Sequence, residues 1–331
     1  MSSTPLLSAA GGLPGPNVMQ DHPAFLRVSH SPWGFIPQNV LVALRGIVLA
    51  YLTATAFMIG HHKLTEESEV GQIRHLFDFG LISYGMVTLY HLMTFCWTFT
   101  HLYYPDADAI RGGVESLLVR AMSLPSNMGS LRKQFYFTLF YAVTTVFSFM
   151  NTAIYWSVTR PHEGGGAGEA LLMAAAASDV PTGLGEVASS STMTTIEGPF
   201  SDLFGEGWFT VFVLCNLYGV TSGFMVFETL FLNSTKRPIA IGSHFFGVMF
   251  HAGLYLAWAA AGKALTDAFP FFWLDEAEVG SKEAVTAYCM GFVLLSPIMY
   301  TLMLGFVGIR EGLTRPGSEQ AVGEAREDVD N

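Results

Sequence analysis

Apolar residues fall in six long runs, at about 38–60, 76–99, 134–157, 207–232, 239–262 and 284–309. Each run is roughly 20 residues or longer. That is the length an α-helix, rising about 1.5 Å per residue, needs to cross about 30 Å of hydrocarbon. The pattern predicts an all-α fold: a polytopic integral membrane bundle of six transmembrane helices. Between the third and fourth runs lies a Gly/Ala/Ser/Thr-rich stretch, about 161–206, expected as a long far-side loop; its "EALLMAAAASDV" is too short to cross. The chain therefore divides into an N-terminal segment 1–37, a transmembrane domain 38–310 and an acidic tail 311–331. The Pro/Gly-rich start and the acidic end are expected to be disordered. No basic stretch precedes a continuous apolar core in "MSSTPLLSAAGGLPGPNVMQ", so the first span is expected to act as the insertion signal.

Polar residues interrupt these runs in an ordered way. In "YGMVTLYHLMTFCWTFTHLYYP", residues 84–105, Tyr84, Thr88, His91, Thr94, Thr98 and His101 recur every three or four positions, along one side of a helix. This stripe is expected to face inward, to contact spans four and five and to line a lipid-accessible cavity. By depth, Arg45, Glu228 and His244 sit one or two turns inside the cytoplasmic leaflet. Thr88, His91, Tyr218, Thr221 and His251 lie nearer the midplane, and Asp78 lies within span two. Arg45 either snorkels to the headgroups or pairs with Glu228, fixing how spans one and four dock. Gly219 and Gly223 form a GxxxG, which allows close helix approach.

Composition agrees with the pattern. The chain is 51% hydrophobic and 13% charged, against about 25% charged in soluble domains, and its mean hydropathy is +0.40. Cys96, Cys215 and Cys289 all fall in spans and form no disulfide framework. Charge sets the orientation. Arg27, Arg111, Arg120, Arg132, Lys133, Lys236, Arg237, Arg310, Arg315 and Arg326 fall on the side of the termini. Lys63, Arg74, Arg160, Lys263 and Lys282 fall on the other. The excess of basic residues predicts cytoplasmic termini, in an endomembrane of the ER type or the plasma membrane. The net charge of −11 comes from the far-side loops and points to no nucleic-acid partner; the partners expected are membrane lipids. The sequon at Asn233 falls on the cytoplasmic face and is expected to be unused. Two stretches are expected along the membrane surface: "AIRGGVESLLVRAM", which gathers Val114, Leu117, Leu118 and Ala121, and "FPFFWLDEAEVG", with Phe269, Phe271, Phe272 and Trp273 ahead of a patch of acids.

The motifs imply no cofactor. Bis-histidine haem sites often need two stacked axial pairs, and His91/His101 and His244/His251 do not supply two haem levels. Neither an HExxH nor a Cys/His zinc cluster occurs. A Walker A loop and a Gly-x-Ser-x-Gly elbow are also absent from the sequence. A hydrolase could use Thr88 as nucleophile with His91 or His251 as base, since threonine needs a positioned base; Thr94 is an alternative nucleophile. The leading expectation is a protein that binds a lipid or hydrolyses lipid esters. A non-enzymatic structural or interaction protein comes next. A small-solute or proton carrier using Asp78, His91, Glu228 and His251 is third, since the internal repeats of many carriers are missing.

The stretches "VALRGIVLAYL", "FMVFETLFLNS", "GLYLAW", "FFWLD" and "MLGFVGIRE" resemble the androgen-induced family of six-pass membrane proteins, in its fungal form. Its animal relatives hydrolyse fatty-acid esters of hydroxy fatty acids. Rolling-stone-like proteins share a similar outline. The resemblance implies a threonine near the start of span two and a histidine in span four. Those positions fall near Phe77–Asp78 and Cys215–Tyr218, where this chain has neither residue. The resemblance therefore implies the fold more than the activity.

Overall fold

A computed structural model of the chain describes residues 23–66, 73–105, 112–125, 128–162, 208–238 and 241–314. Most of the expected far-side loop, the first 22 residues and the tail from 315 lie outside these residues, as do Ala109–Arg111 of the first surface stretch. The helices are α1 (Ala24–Val28), α2 (Gln38–Glu66), α3 (Phe79–Tyr103), α4 (Gly113–Met122), α5 (Leu131–Ile154), α6 (Trp208–Cys215), α7 (Thr221–Phe227), α8 (Ile241–Thr266), α9 (Glu276–Val279) and α10 (Lys282–Thr314). Every regular element among the described residues is helical.

Six helical stretches are long and apolar enough to cross a membrane: Gln38–His61, Phe79–Tyr103, Leu131–His162, Val211–Leu232, Ile241–Thr266 and Lys282–Thr314. The protein is thus a multi-pass membrane protein with an all-α bundle. Below, the end of the bundle where α2 begins is called proximal and the opposite end distal. The third span is the axle of the bundle: 72% of its most apolar window is buried, against 28–44% for the other five. In α5 the residues Tyr141–Asn151 are buried without a break. Its small hydroxyls make this possible by bonding back to their own helix, Thr145 Oγ1 to the Tyr141 carbonyl (2.9 Å) and Ser148 Oγ to that of Thr145 (2.9 Å).

Several boundaries move. Span two begins at Phe79 because Asp78 is extended (φ −68°, ψ 119°) and accepts from the Gly80 N–H (2.7 Å) and the Leu81 N–H (3.3 Å), an N-cap in front of the helix and not a carboxylate within it. α10 runs on to Thr314, past the expected end at 310. Residues 24–28 form a helix with Ala24, Phe25 and Val28 buried, so order begins before the expected boundary at 37. Phe25 packs edge-on against Trp97 (5.5 Å) and beside Phe137 (5.3 Å), an apolar anchor for this short helix.

The two expected surface stretches part company. In α4, Val114, Leu117 and Leu118 are exposed while Ser116 and Val119 are buried; the apolar face turns away from the bundle, as an interfacial helix requires. The aromatics after Phe269 instead plug the distal end. Trp273 is buried, stacks on Phe271 (4.7 Å) and packs on Phe292 (5.7 Å), so these rings fill space between the helix ends at close-packed density.

Candidate functional site

The fourth span is not a regular helix. Between α6 and α7, and again after α7, one π-turn widens it, Asn216–Val220 and Glu228–Leu232. A helix end leaves its last four carbonyls without intrahelical donors, and inside a membrane water cannot supply them. Here side chains do so, one for each carbonyl. Arg310 Nη1 donates to the Thr229 carbonyl (2.9 Å), Trp33 Nε1 to that of Leu230 (2.8 Å), Ser31 Oγ to that of Phe231 (2.7 Å) and Arg45 Nη2 to that of Leu232 (2.9 Å).

Arg45 is the hub. It is wholly buried and pairs with Glu228, itself wholly buried, at 2.9 Å. It also donates to the carbonyls of Thr94 (3.0 Å) and Val28 (2.6 Å) and to the Thr98 hydroxyl (2.6 Å). Of the two expected arrangements it therefore adopts the ion pair, not the snorkel, and it ties α1, α2, α3 and the fourth span together. The Tyr90 hydroxyl donates to the same Glu228 oxygen (3.1 Å), and Asn233 Nδ2 donates to the Tyr90 hydroxyl (3.3 Å). Asn233 is fully buried. Arg310, expected among the cytoplasmic-side cations, is instead part of this core. It is 1% exposed and also donates to the Asn233 carbonyl (2.7 Å), Asn233 Oδ1 (3.1 Å) and the Thr235 carbonyl. Sequence reasoning missed it because nothing local distinguishes a buried arginine at a helix end from a topological one.

The Thr/His stripe faces α2 and the fourth span, not span five. Tyr84 donates to the Leu52 carbonyl (2.8 Å) and is bonded to Thr55 on α2. The His91 ring meets that of Phe224 (6.4 Å), and Thr98 receives Arg45. Thr88, His91 and Thr94 bond back to their own helix, at the carbonyls of Tyr84 (2.9 Å), Val87 (2.9 Å) and His91 (3.2 Å). His251 does likewise, at the Gly247 carbonyl (2.8 Å). Ile82 and Met86, which share a groove with His251, lie about half a turn around α3 from Thr88 and His91 at 100° per residue. Thr88, His91 and His251 are thus not one constellation, and no hydrogen bond joins any two of their side chains among the described residues.

The remaining polar residues serve the packing. Tyr218 is not near the midplane. It stacks on Tyr155 (3.8 Å) at the distal end, and a Cβ placed on Gly80 would stand 3.1 Å from Asp78 Oδ1 and 3.4 Å from the Tyr218 hydroxyl oxygen. Thr221 bonds the Leu217 carbonyl (3.1 Å), and His244 Nε2 bonds Thr138 Oγ1 (2.8 Å). Gly219 and Gly223 meet nothing within 4 Å of an added Cβ, so their GxxxG brings no helix close. Among the described residues no group of three His, Cys, Asp or Glu could hold a metal.

A larger opening lies beside this polar core among the described residues. An apolar groove of about 610 Å³ runs between α3 (Ile82, Met86) and α8 (His251, Leu254, Tyr255, Trp258), with Val143 and Phe147 of α5 as its floor. Trp258 Nε1 donates to the Leu76 carbonyl (3.0 Å) and the Tyr255 hydroxyl to that of Phe77 (3.0 Å), which fixes the distal end of α8 against the start of α3. Leu254 and Trp258 are each about half exposed at its rim. With Tyr255 and Trp258 donating to those carbonyls, His251 is the remaining polar side chain of the lining. A carbonyl can only accept, so Nδ1 carries the proton toward Gly247, and in the neutral ring Nε2 offers a lone pair. No serine, threonine or cysteine is among the described residues that line the groove.

Compared with models of known protein families, with curated proteins and with solved structures, the chain matches none.

Proposed function

We propose that this multi-pass membrane protein binds a single lipid in the groove between α3 and α8, with a hydroxyl of the lipid donating to His251 Nε2. The observation that carries the reading is the groove itself. Its volume lies within the 300–1,000 Å³ usual for ligand sites, and its walls are apolar with very few polar groups. It opens on the flank of the bundle at the level of the spans, where acyl chains and not water are the neighbours. An imidazole acceptor in such walls favours a lipid that brings its own donor, such as a fatty alcohol, a protonated fatty acid or a diacylglycerol.

The reading is non-hydrolytic. The groove lining offers His251 no serine, threonine or cysteine among the described residues, the Tyr255 hydroxyl donates to the Phe77 carbonyl, and Thr88 and His91 lie on another face of α3. The positions singled out by the resemblance to the androgen-induced family hold Asp78, engaged as a helix cap, and Tyr218, stacked on Tyr155. Membership of that family would then be as a lipid-binding relative without the Thr/His pair. Both carboxylates considered for proton transport have structural tasks, Asp78 in the cap and Glu228 between Arg45 and Tyr90. The same reading keeps both termini cytoplasmic. With Arg310 assigned to the buried core, nine basic residues remain on that side against five on the other.

The test is mass spectrometry of lipid retained by the full-length protein after delipidation and re-exposure to a long-chain alcohol or the alkane of equal length. Wild type retains the alcohol in preference to the alkane. His251→Phe keeps the ring volume and loses that preference, while Ala257→Phe, which narrows the mouth, retains less of both. Equal retention of alcohol and alkane by wild type, or an unchanged preference in His251→Phe, would overturn the reading.

A further inference from the structure

A second, much smaller cavity lies at the proximal end, enclosed by α5, the 233–238 connection, α8 and α10. Thr138, Thr235, Lys236, His244, Tyr300 and Val307 are among the residues that line it. It measures about 20 Å³, room for one water-sized or monatomic species. Two hydroxyls at this cavity, Tyr300 Oη and Thr235 Oγ1, are buried without a partner in the protein, on residues 1% and 7% exposed. Buried polar groups are rarely left unpaired, because each orphan has given up its hydrogen bonds to water without replacement. His244 adds a donor at the wall. The Thr138 hydroxyl gives its proton to the Gln134 carbonyl (2.9 Å), so the His244 Nε2–H donates to Thr138 Oγ1.

A buried positive charge lies next to the cavity, one residue contact away. Arg45 is neutralised by Glu228, but Arg310, almost as buried, is held by the oxygens of Thr229, Asn233 and Thr235, and among the described residues no carboxylate lies within ion-pair distance of it. Glu311, the next residue, accepts from the Arg237 N–H (3.3 Å) instead. No aspartate or glutamate is among the described residues that line the cavity. Thr235 joins the two features: its carbonyl receives Arg310, and it lines the cavity with its hydroxyl buried and unpartnered. Buried charges are ordinarily paired. We infer that the cavity binds one monatomic anion of the halide class, held by the Tyr300 and Thr235 hydroxyls, as the counter-ion of Arg310. Such an ion would make the packing of α10 against the end of the fourth span depend on halide.

The experiment is thermal unfolding of the full chain in detergent, at constant ionic strength, as gluconate is replaced by chloride or bromide. The expected result is a saturable rise of Tm with halide. Tyr300→Phe and Thr235→Val each remove one charge-assisted bond and raise the half-saturating halide concentration about tenfold or more. Thr235→Val keeps the backbone carbonyl that Arg310 needs, so it serves as the probe should Tyr300→Phe not fold. A Tm that does not move between gluconate and halide would overturn the inference and leave the cavity to a water. An equal halide response in wild type and Thr235→Val would place the ion elsewhere and overturn it as well.

Discussion

Replacing Arg45 by methionine, Glu228 by leucine, and both together isolates the energy at the centre of the proximal end. Arg45→Met alone leaves a wholly buried carboxylate with Tyr90 as its remaining donor, and it strips side-chain donors from the carbonyls of Val28, Thr94 and Leu232. Breaking a buried pair by removing one partner costs about 3–5 kcal/mol. Each lost donor adds to this, although Thr94 keeps the Thr98 hydroxyl (2.6 Å). Glu228→Leu leaves Arg45 charged but still bonded to three carbonyls and a hydroxyl, so it falls at about 3 kcal/mol, the lower end of that range. The double variant buries no charge and loses only hydrogen bonds, so it is more stable than the sum of the singles by about 2 kcal/mol or more. Reversible denaturant unfolding in mixed micelles measures all four corners of the cycle. Additive losses, or an Arg45→Met variant within about 1 kcal/mol of wild type, would refute the argument that this pair and the helix end act as one unit.

Gly262→Ala should destabilise by about 1–3 kcal/mol, because its Cβ would stand 2.6 Å from Phe77 Cγ and displace the ring that neighbours the groove's distal end. Gly253→Ala, on the same helix with nothing within 4 Å, should be neutral or stabilising by up to about 1 kcal/mol; equal Tm changes for the two would contradict the packing described. Asp78→Ala removes the N-cap of α3 and should cost about 1 kcal/mol. Asp78→Asn, which keeps the acceptor, should cost less, and faster amide exchange confined to the first turn of α3 in the alanine variant is the check.

The spans were legible because a bilayer demands long apolar helices, and that demand is written along the chain. Even the Arg45–Glu228 pair could be anticipated, since two charges at matching depth have few other ways to survive there. What could not be read was rotation. The sequence places the stripe at Thr88 and His91 against spans four and five; it meets span four, where the His91 ring packs on Phe224, but about half a turn of α3 separates it from Ile82 and Met86, which border the groove that α8 shares. No local signal reports which neighbour a polar face meets. The π-turns at Asn216 and Glu228 were equally hidden, because they shift one hydrogen bond without changing composition, and they set the carbonyls that recruit Arg310. Trp273 illustrates the same limit: an aromatic before acids suits an interface, but the packing at the distal end claims it.

The claim that a lipid occupies the groove is tested most directly by photocrosslinking. Full-length protein in lipid bilayers is incubated with a diazirine-bearing long-chain alcohol, irradiated and digested, and the labelled peptides are mapped by mass spectrometry. The account predicts label concentrated on the peptides carrying Met86 and Leu254, competed by unlabelled alcohol and lost in Ala257→Phe. Label spread evenly over the lipid-facing residues Phe57, Phe246 and Ile298, without competition, would contradict it.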